Sequence, residues 1–171
     1  LPTEMLDLES LEILKLHDNN LSDLPVNIKD LTQIRELYID GNSFSDFPLI
    51  VTEINFLERL SITKNSLAFS IPVSISGLSS LKYLNIGWNN IDSIPSSFGE
   101  LTNLESLYIN NNNLASLPNS ILNLVLIEGD DKECGCPANN FGMNKLCNVS
   151  EEIKTWLTRY DSDWENSQTC N

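Results

Sequence analysis

One asparagine recurs along most of this chain at an almost constant interval, and that interval restricts the fold more than any other feature. The copies are Asn19, Asn42, Asn65, Asn89 and Asn112. Successive copies are 23, 23, 24 and 23 residues apart, and leucine or isoleucine occupies fixed positions around each one, as in residues 104–118, LESLYINNNNLASLP. Self-similarity at a period of about 20 to 50 residues indicates a solenoid, whose repeats bury their apolar faces by stacking on one another.

Each repeat divides into a strand-like part and a turning part. The strand-like part alternates inward and outward residues over a short span, as in residues 37–39, LYI, and this alternation is typical of a β-strand. Parallel stacking of such strands needs a crossover connection, which the following L-P-x-x-I/F-x-x-L segment supplies. Its proline predicts extended or tightly turning backbone with at most short helical turns. These prolines are Pro25, Pro48, Pro72, Pro95 and Pro118.

We interpret the recurring asparagine as structural. A turning backbone inside a solenoid leaves buried amide and carbonyl groups that need partners, and a carboxamide carries both donors and an acceptor. Because five equivalent positions cannot all be one active site, none of these asparagines is a catalytic candidate.

The pattern L-x-x-L-x-L-x-x-N-x-L resembles that of the leucine-rich repeat family, and the resemblance covers almost the whole chain. It implies an α/β solenoid with a curved, parallel β-sheet on its concave side and an irregular or short-helical convex side. The unit at residues 65–72, NSLAFSIP, is similar to the plant-type N-x-L-x-G-x-I-P variant, with Phe69 where glycine is usual.

We expect the repeats to occupy residues 1–130. Leu1, Pro2, Met5 and Leu8 match the residues 23 positions later, so the first repeat is incomplete, and we expect further repeats, a cap or another subunit on that side. Residues 125–130, VLIEGD, align with residues 37–42, LYIDGN, which places Asp130 in the asparagine position. Residues 131–171 are then a cysteine-rich C-terminal cap.

The cysteines all fall in the last quarter of the chain, at Cys134, Cys136, Cys147 and Cys170. An even, clustered set predicts two disulfides and an oxidising compartment, hence a secreted or cell-surface protein. Zinc is the competing use, but C-x-C with long uneven gaps fits poorly with the usual zinc-ligand spacing. By resemblance to cysteine-capped members, Cys134 pairs with Cys147 and Cys136 with Cys170, or the reverse arrangement holds; the sequence does not choose between them.

A helix is predicted in the cap. Asn148 is the expected N-cap, with acidic Glu151 three residues later. Ile153, Trp156, Leu157 and Tyr160 then share one helical face. We expect this helix to lie over the open edge of the last repeat.

The net charge of the chain excludes some classes of binding partner. Ten Lys and Arg against 24 Asp and Glu give a net charge of −14, which repels phosphate backbones and anionic lipid heads. No apolar run approaches the roughly 20 residues that a membrane-spanning helix needs. We therefore expect no nucleic-acid partner and no membrane insertion in this segment.

Outward side chains of the strands are the binding candidates, because curved solenoids present extended recognition surfaces. Exposed aromatics are enriched at interface hot spots, although strands also favour aromatics without any partner. Arg59 and Lys64 would supply complementary charge. The predicted ligand-binding residues are Tyr38, Asp40, Arg59, Lys64, Tyr83, Asn85, Trp88, Tyr108 and Asn110.

These residues predict an extracellular recognition module that binds a protein ligand through the concave face, of receptor-ectodomain or adhesion type. One alternative is a polysaccharide-binding module, in which the same aromatics stack on sugar rings and Asn85, Asn110 and Asn111 bind hydroxyls. Another is a structural spacer within a larger receptor. Two sequons, at Asn20 and Asn148, are glycosylation acceptors if the source glycosylates secreted proteins.

No catalytic, metal or cofactor site is predicted. His17 is the only histidine, so no Ser/His/Asp or Cys/His set can be assembled around a second base. The sequence has no glycine-rich phosphate loop and no H-E-x-x-H motif. Glu36 and Asp40 share the outward face, but on a shallow, wet surface we expect nothing to desolvate either carboxylate and raise its pKa. We therefore predict that the chain is not an enzyme.

Overall fold

Short parallel strands form the architecture. The computed structural model describes residue 8, residues 10–127 and residues 139–170. The strands are β1 (Ile13–Lys15), β2 (Glu36–Tyr38), β3 (Arg59–Ser61), β4 (Ala68–Ser70), β5 (Tyr83–Asn85), β6 (Asn90–Ser93), β7 (Ser106–Tyr108) and β8 (Asn139–Asn140). One parallel sheet has the order β1-β2-β3-β5-β7-β8, while β4 pairs with β6 in a second parallel sheet.

The register of the larger sheet keeps equivalent residues level from repeat to repeat. The central residues of its first five strands are aligned with one another and buried: Leu14, Leu37, Leu60, Leu84 and Leu107. Their side chains point into one continuous apolar core. Stacking therefore buries in every repeat the face that a single repeat could not bury alone, and the predicted parallel sheet is confirmed.

Each repeat turns behind the sheet through a 3₁₀ helix that begins directly after its proline. These helices are Val26–Asp30, Leu49–Glu53, Val73–Gly77, Ser96–Glu100 and Asn119–Asn123. The preceding prolines have φ between −64° and −73°, the value that the pyrrolidine ring imposes. The predicted short-helical convex side is confirmed.

The recurring asparagine forms a ladder between repeats. Asn89 Nδ2 donates to the carbonyls of Ile62 (2.9 Å), Ile86 (3.2 Å) and Gly87 (3.1 Å), and its Oδ1 accepts from the Leu67 amide at 3.1 Å. Ile62 and Leu67 belong to the preceding repeat. Equivalent bonds are made by Asn42, Asn65 and Asn112. The predicted structural role is therefore confirmed.

The position after Asn112 in this ladder belongs to Asn144, so the prediction that Asp130 fills it is wrong. Asn144 Nδ2 donates to the carbonyls of Ile109, Phe141 and Gly142, and its Oδ1 accepts from the Leu114 amide. The strand that pairs with β7 is accordingly β8. Residues 125–127 form no strand. Asp130 itself and the predicted boundary at residues 130 and 131 lie outside the described residues.

The predicted cap helix is confirmed as α1 (Glu151–Tyr160), but its N-cap is Ser150 and not Asn148. Ser150 Oγ accepts from the Ile153 amide at 3.4 Å. Trp156 is buried against the Asn119–Asn123 3₁₀ helix, where its Nε1 donates to the Leu124 carbonyl at 3.3 Å, and its ring lies 5.2 Å from that of Phe141. The helix therefore lies over the end of the repeats, as expected.

A disulfide joins Cys147 to Cys170. This bond contradicts both predicted pairings, each of which gave these two cysteines different partners. Cys134 and Cys136 lie outside the described residues. The bond ties the residues that precede α1 to the segment that follows it, so the cap closes on itself.

Candidate functional site

The outward side chains of the larger sheet, with the second and third residues that follow each strand, form the surface that we call the concave face. Its first four strands present outward residues that are exposed or half-buried on one or both sides of a buried leucine. In β7 all three residues are buried. The accessible part of the face therefore lies mainly on β1, β2, β3 and β5.

Cations and aromatic rings alternate across this face, in a series that we call the cation–aromatic row. Lys15 Nζ lies 5.3 Å from the centroid of the Tyr38 ring, and the Arg59 guanidinium carbon lies 4.2 Å from that of Tyr83. Arg59 Nε also donates to the Tyr38 hydroxyl at 3.2 Å. The Tyr83 and Tyr108 rings follow, with centroids 5.5 Å apart. Such contacts hold long side chains in one geometry before any ligand binds.

Glu36 completes the polar environment of Tyr38. The Tyr38 hydroxyl donates to Glu36 Oε2 at 2.8 Å while accepting from Arg59. Burial, reinforced by this bond to a carboxylate, raises the pKa of Tyr38 to about 12. The phenol is consequently neutral at physiological pH and keeps its proton for Glu36.

Asp40 is more enclosed than the sequence indicated. Its Oδ1 accepts from Ser61 Oγ at 2.5 Å and from the Thr63 amide at 2.8 Å. Burial raises the pKa of the Asp40 carboxyl, and this effect outweighs the two hydrogen bonds and the nearby His17, which lower it. The prediction that nothing on this face would desolvate a carboxylate is therefore wrong for Asp40. Packing between β2 and β3 encloses it.

Trp88 and Lys64 lie at the edge of the face and are exposed, Trp88 by 55%. Both have left-handed backbone, with φ of 54°. The same conformation recurs immediately before each described ladder asparagine from Asn19 onward: Asp18, Gly41, Lys64, Trp88, Asn111 and Met143. Left-handed backbone is unfavourable for a large side chain, so Trp88 is a strained and exposed aromatic.

Tyr108 is not the exposed anchor that the sequence predicted, because only 8% of it is accessible. Strand β7 has neighbours on both sides, with Asn85 of β5 and Asn140 of β8 in register with Tyr108. The Tyr83 ring packs against it. Tyr108 therefore supports Tyr83 and presents little surface of its own.

Asn85 and Asn110 are half-buried and shape the edge of the face. Asn85 Oδ1 accepts from the Gly87 amide at 3.1 Å. A side chain at Gly87 would meet Asn110 Oδ1 at 2.8 Å, so the glycine permits this close approach. These asparagines fix the turn after the strand.

Two contributors to the face are absent from the predicted ligand-binding residues. Lys15, which its position one residue after a strand leucine places on the outward face, belongs to the cation–aromatic row. Asn140 was missed because the register at the end was misassigned; its Oδ1 accepts from the Gly142 amide at 3.0 Å, as Asn85 does for Gly87. Residues 140–144, NFGMN, match residues 85–89, NIGWN, and that match could have identified it.

Both sequon asparagines, Asn20 and Asn148, are exposed. Over the described ranges, no three or more His, Cys, Asp or Glu side chains come together in a way that could hold a metal ion. Those ranges also contain no helix with the length and apolar character required to cross a bilayer.

Comparison with known proteins shows which family model and which solved structures this chain resembles. Residues 56–126 match the family model described as leucine rich repeat. A leucine-rich repeat protein of Leptospira interrogans has a solved structure that matches all of this chain with a TM-score of 0.60 at 23% identity, and the match covers 51% of that protein. The present chain thus spans about half the length of that relative. No curated protein matches the sequence.

Two further solved structures are similar at slightly higher identity. The BIR3–SERK2 complex from Arabidopsis thaliana matches 58% of this chain at 28% identity and a TM-score of 0.53, over 55% of the matched chain. The structure of PEPR1–AtPEP1 matches 74% of this chain at 27% identity and a TM-score of 0.62, over 22% of its matched chain.

Proposed function

This chain is a leucine-rich repeat protein, and we propose that it binds a protein or peptide ligand through its concave face and does not act as an enzyme. The observation that carries the proposal is the cation–aromatic row. Arg59 is held between the Tyr38 hydroxyl and the Tyr83 ring, so its position is set before a ligand arrives. Preorganised arginine and tyrosine side chains reduce the entropy that binding costs and are typical interface anchors.

The similar solved structures support a protein partner. BIR3 is in complex with SERK2 in one of them, and PEPR1 is together with AtPEP1 in the other. By analogy, the repeats of this chain serve as a receptor-type recognition module. The analogy concerns the fold and the mode of use; it does not identify the ligand.

The charges of the face indicate the ligand's chemistry. Lys15, Arg59 and Lys64 place three cations on the face of a chain whose net charge is −14. We propose that the ligand presents carboxylates toward Arg59 and Lys64, and apolar groups toward Tyr83 and the exposed ring of Trp88. Charge complementarity of this kind selects partners and increases the association rate more than it adds affinity.

A secreted or cell-surface location is part of this proposal. The Cys147–Cys170 disulfide supports it, because disulfides persist in oxidising compartments. The polysaccharide and spacer alternatives stay predictions from the sequence, and no observation of the structure favours either.

A capture experiment with matched baits tests the function. The wild-type chain, an Arg59→Ala/Tyr83→Ala variant and an Arg35→Ala/Phe56→Ala variant would be incubated with surface and secreted fractions of the source organism. Arg35 lies 5.3 Å from the Phe56 ring, so the control removes the same chemistry from the turn that precedes the strands. We expect a protein retained by the wild type and the control but not by the concave variant. Equal retention by all three would contradict the proposal.

A further inference from the structure

We propose that a groove on the convex side, between the turning segments of two neighbouring repeats, is a second interaction surface. It would take a partner segment that carries a lysine or arginine side chain among apolar residues. This convex groove is lined by residues 22–24, 26 and 44–50, and it shares no residue with the concave face. The inference is therefore independent of the proposed function.

The convex groove has an apolar floor and apolar walls. Its volume is about 390 Å³. Leu24 and Phe47 are nearly buried, at 4% and 7% exposure, and form the floor, whereas Val26 and Leu49 project into solvent with 75% and 61% of their surface accessible. A cavity of this size accommodates side chains of a partner, and its exposed walls lose contact with water when they are covered.

Comparison between repeats shows that the scaffold does not require these apolar walls. Val26 and Leu49 each occupy the first position of a 3₁₀ helix, directly after a proline. The same position is occupied by Val73 in the third repeat, which is also exposed, but by Ser96 and Asn119 in the next two, with the same helix and the same preceding proline. Because the same backbone forms there with serine or asparagine, the fold does not require apolar side chains at this exposed position.

Acidic residues accompany the apolar walls in the same two repeats. Asp23 and Asp46 line the convex groove, and each precedes its proline by two residues. The equivalent residues of the other three repeats are Ser70, Ser93 and Ser116. An aspartate and an apolar wall residue thus occur together only in the two repeats that enclose the groove.

These aspartates have only local partners. Asp23 Oδ1 accepts from the Leu24 amide at 2.8 Å, and Asp46 Oδ2 accepts from Ser45 Oγ at 2.9 Å. None of the ion pairs Lys29–Glu53, Lys82–Glu58 and Lys154–Glu165 involves either aspartate. Carboxylates beside apolar walls suit a side chain with an aliphatic stem and a cationic end, which is the chemistry of lysine and arginine.

The charge of the chain excludes two other occupants. Nucleic acid and anionic lipid would both be repelled by the two aspartates and by the net charge of −14. A second copy of this chain would bring the same negative charge. A basic, partly apolar segment of another protein is the occupant that both features of the groove favour.

Calorimetric titration with synthetic peptides tests this proposal. The probes are short capped peptides of alternating leucine with lysine, with serine or with glutamate, used at physiological ionic strength. We expect saturable binding of the lysine peptide, at least about tenfold tighter than that of either other peptide. Amide chemical-shift changes in the isotope-labelled protein should fall on the groove residues. Equal affinity for all three peptides, or shifts confined to other surfaces, would overturn the proposal.

Three variants separate this site from general attraction and from the concave face. Asp23→Ser/Asp46→Ser should lower the affinity for the lysine peptide at least about tenfold. Asp30→Ser/Glu100→Ser removes the same charge from exposed sites outside the groove and should change affinity less than about twofold. Arg59→Ala/Tyr83→Ala should leave peptide affinity unchanged. Similar losses in both acidic variants would identify non-specific attraction and overturn the proposal, as would a loss in the concave variant.

Self-association needs its own measurement. Sedimentation of the wild type and of Leu49→Asn distinguishes a second copy from another partner. We expect both to be monomeric. A wild-type dimer that Leu49→Asn dissociates would show that the groove binds a second copy, which would contradict the occupant proposed here.

Discussion

Single asparagine side chains hold neighbouring repeats of this protein together. From Asn42 onward, each ladder carboxamide bonds backbone groups of its own repeat and of the one before it, and Asn89 is only 7% exposed. Removing such a side chain leaves several buried backbone groups without partners, and an unpaired buried group costs about 1–3 kcal/mol. The ladder is therefore a major source of stability that the apolar core does not provide.

Replacement of Asn89 by alanine should lower the free energy of unfolding by roughly 2–4 kcal/mol, because a donor group and an acceptor are lost in a buried position. Asn19→Ala is the matched control. Asn19 is exposed and donates to the Leu16 and His17 carbonyls, where water can replace it, so we expect a loss below about 1 kcal/mol. Urea denaturation measures both. Equal losses would contradict the assigned role of the ladder.

Asp40→Asn should stabilise the protein at neutral pH. The folded state raises the pKa of Asp40 above its ordinary value of 3.8, so the folded chain binds more protons than the unfolded chain in that window. Wild-type stability therefore falls as the pH rises from about 3.8 through the raised value, and the deficit persists above it. Asparagine keeps an oxygen for Ser61 and Thr63 but never ionises.

Urea denaturation of wild type and Asp40→Asn at several pH values checks the sign. The advantage of the variant should be present at pH near 7, shrink as the pH falls through the raised pKa of the folded state, and be smallest below the ordinary pKa of 3.8, where Asp40 becomes protonated in both states. Ser74→Ala, at an exposed site in the Val73–Gly77 3₁₀ helix on the other side of the molecule, should show no such pH-dependent difference. A constant difference at all pH values would contradict the proposed cause.

Elements of this protein begin and end at identifiable residues. A proline directly precedes every 3₁₀ helix of the convex side, and Ser150 is the N-cap of α1. The third repeat has one extra residue, Phe69, which is 70% exposed with φ of 64°. It occupies the position at which the plant-type pattern has glycine, and its backbone conformation explains that preference.

Ser150→Ala should cost about 1 kcal/mol of stability, because the first turn of α1 loses the acceptor of its Ile153 amide. Asn148→Ala should cost less than about 0.5 kcal/mol, since Asn148 is exposed and is not the cap. Thermal unfolding of the wild type and of both variants measures the two losses of stability. A larger effect of Asn148→Ala would contradict Ser150 as the N-cap and would support Asn148, the N-cap predicted from the sequence.

Phe69→Gly should raise the free energy of unfolding by about 0.5–1 kcal/mol, because glycine adopts left-handed backbone without the steric cost that phenylalanine bears. Ala68→Gly, one residue earlier in β4 and without positive φ, should instead lower it by about 0.5–1 kcal/mol through added chain entropy. Chemical denaturation gives both values. Destabilisation by Phe69→Gly would show that the exposed ring makes a stabilising contact.

The sequence predicted the repeating elements because the residues that form them recur at one period: the strand leucines, the ladder asparagines and the prolines. It failed where the period changes. The step from Asn112 to Asn144 is 32 residues, so extension by 23 led to Asp130. The burial of Tyr108 could not be predicted, because it depends on β8, which was unrecognised. The pKa of Asp40 depends on packing by neighbouring repeats, and a pattern within one repeat does not contain that information.

At the scale of the whole molecule, one core runs from β1 to the cap, and α1 covers its end with Ile153, Trp156 and Leu157. The resulting scaffold keeps the spacing of strands fixed, so side chains on the concave face hold their relative positions. The cation–aromatic row spans β1 to β7 on this rigid support. Rigid presentation of preorganised side chains is the physical basis of the proposed recognition.

The most direct test of this account is the dissociation constant of a captured ligand for Arg59→Ala/Tyr83→Ala relative to the wild type. Hot-spot residues of this kind contribute about 2 kcal/mol or more, so we predict at least about thirtyfold weaker binding. The Arg35→Ala/Phe56→Ala control should bind within about twofold of the wild type. An unchanged dissociation constant for the concave variant, or an equal loss in the control, would contradict recognition through the concave face.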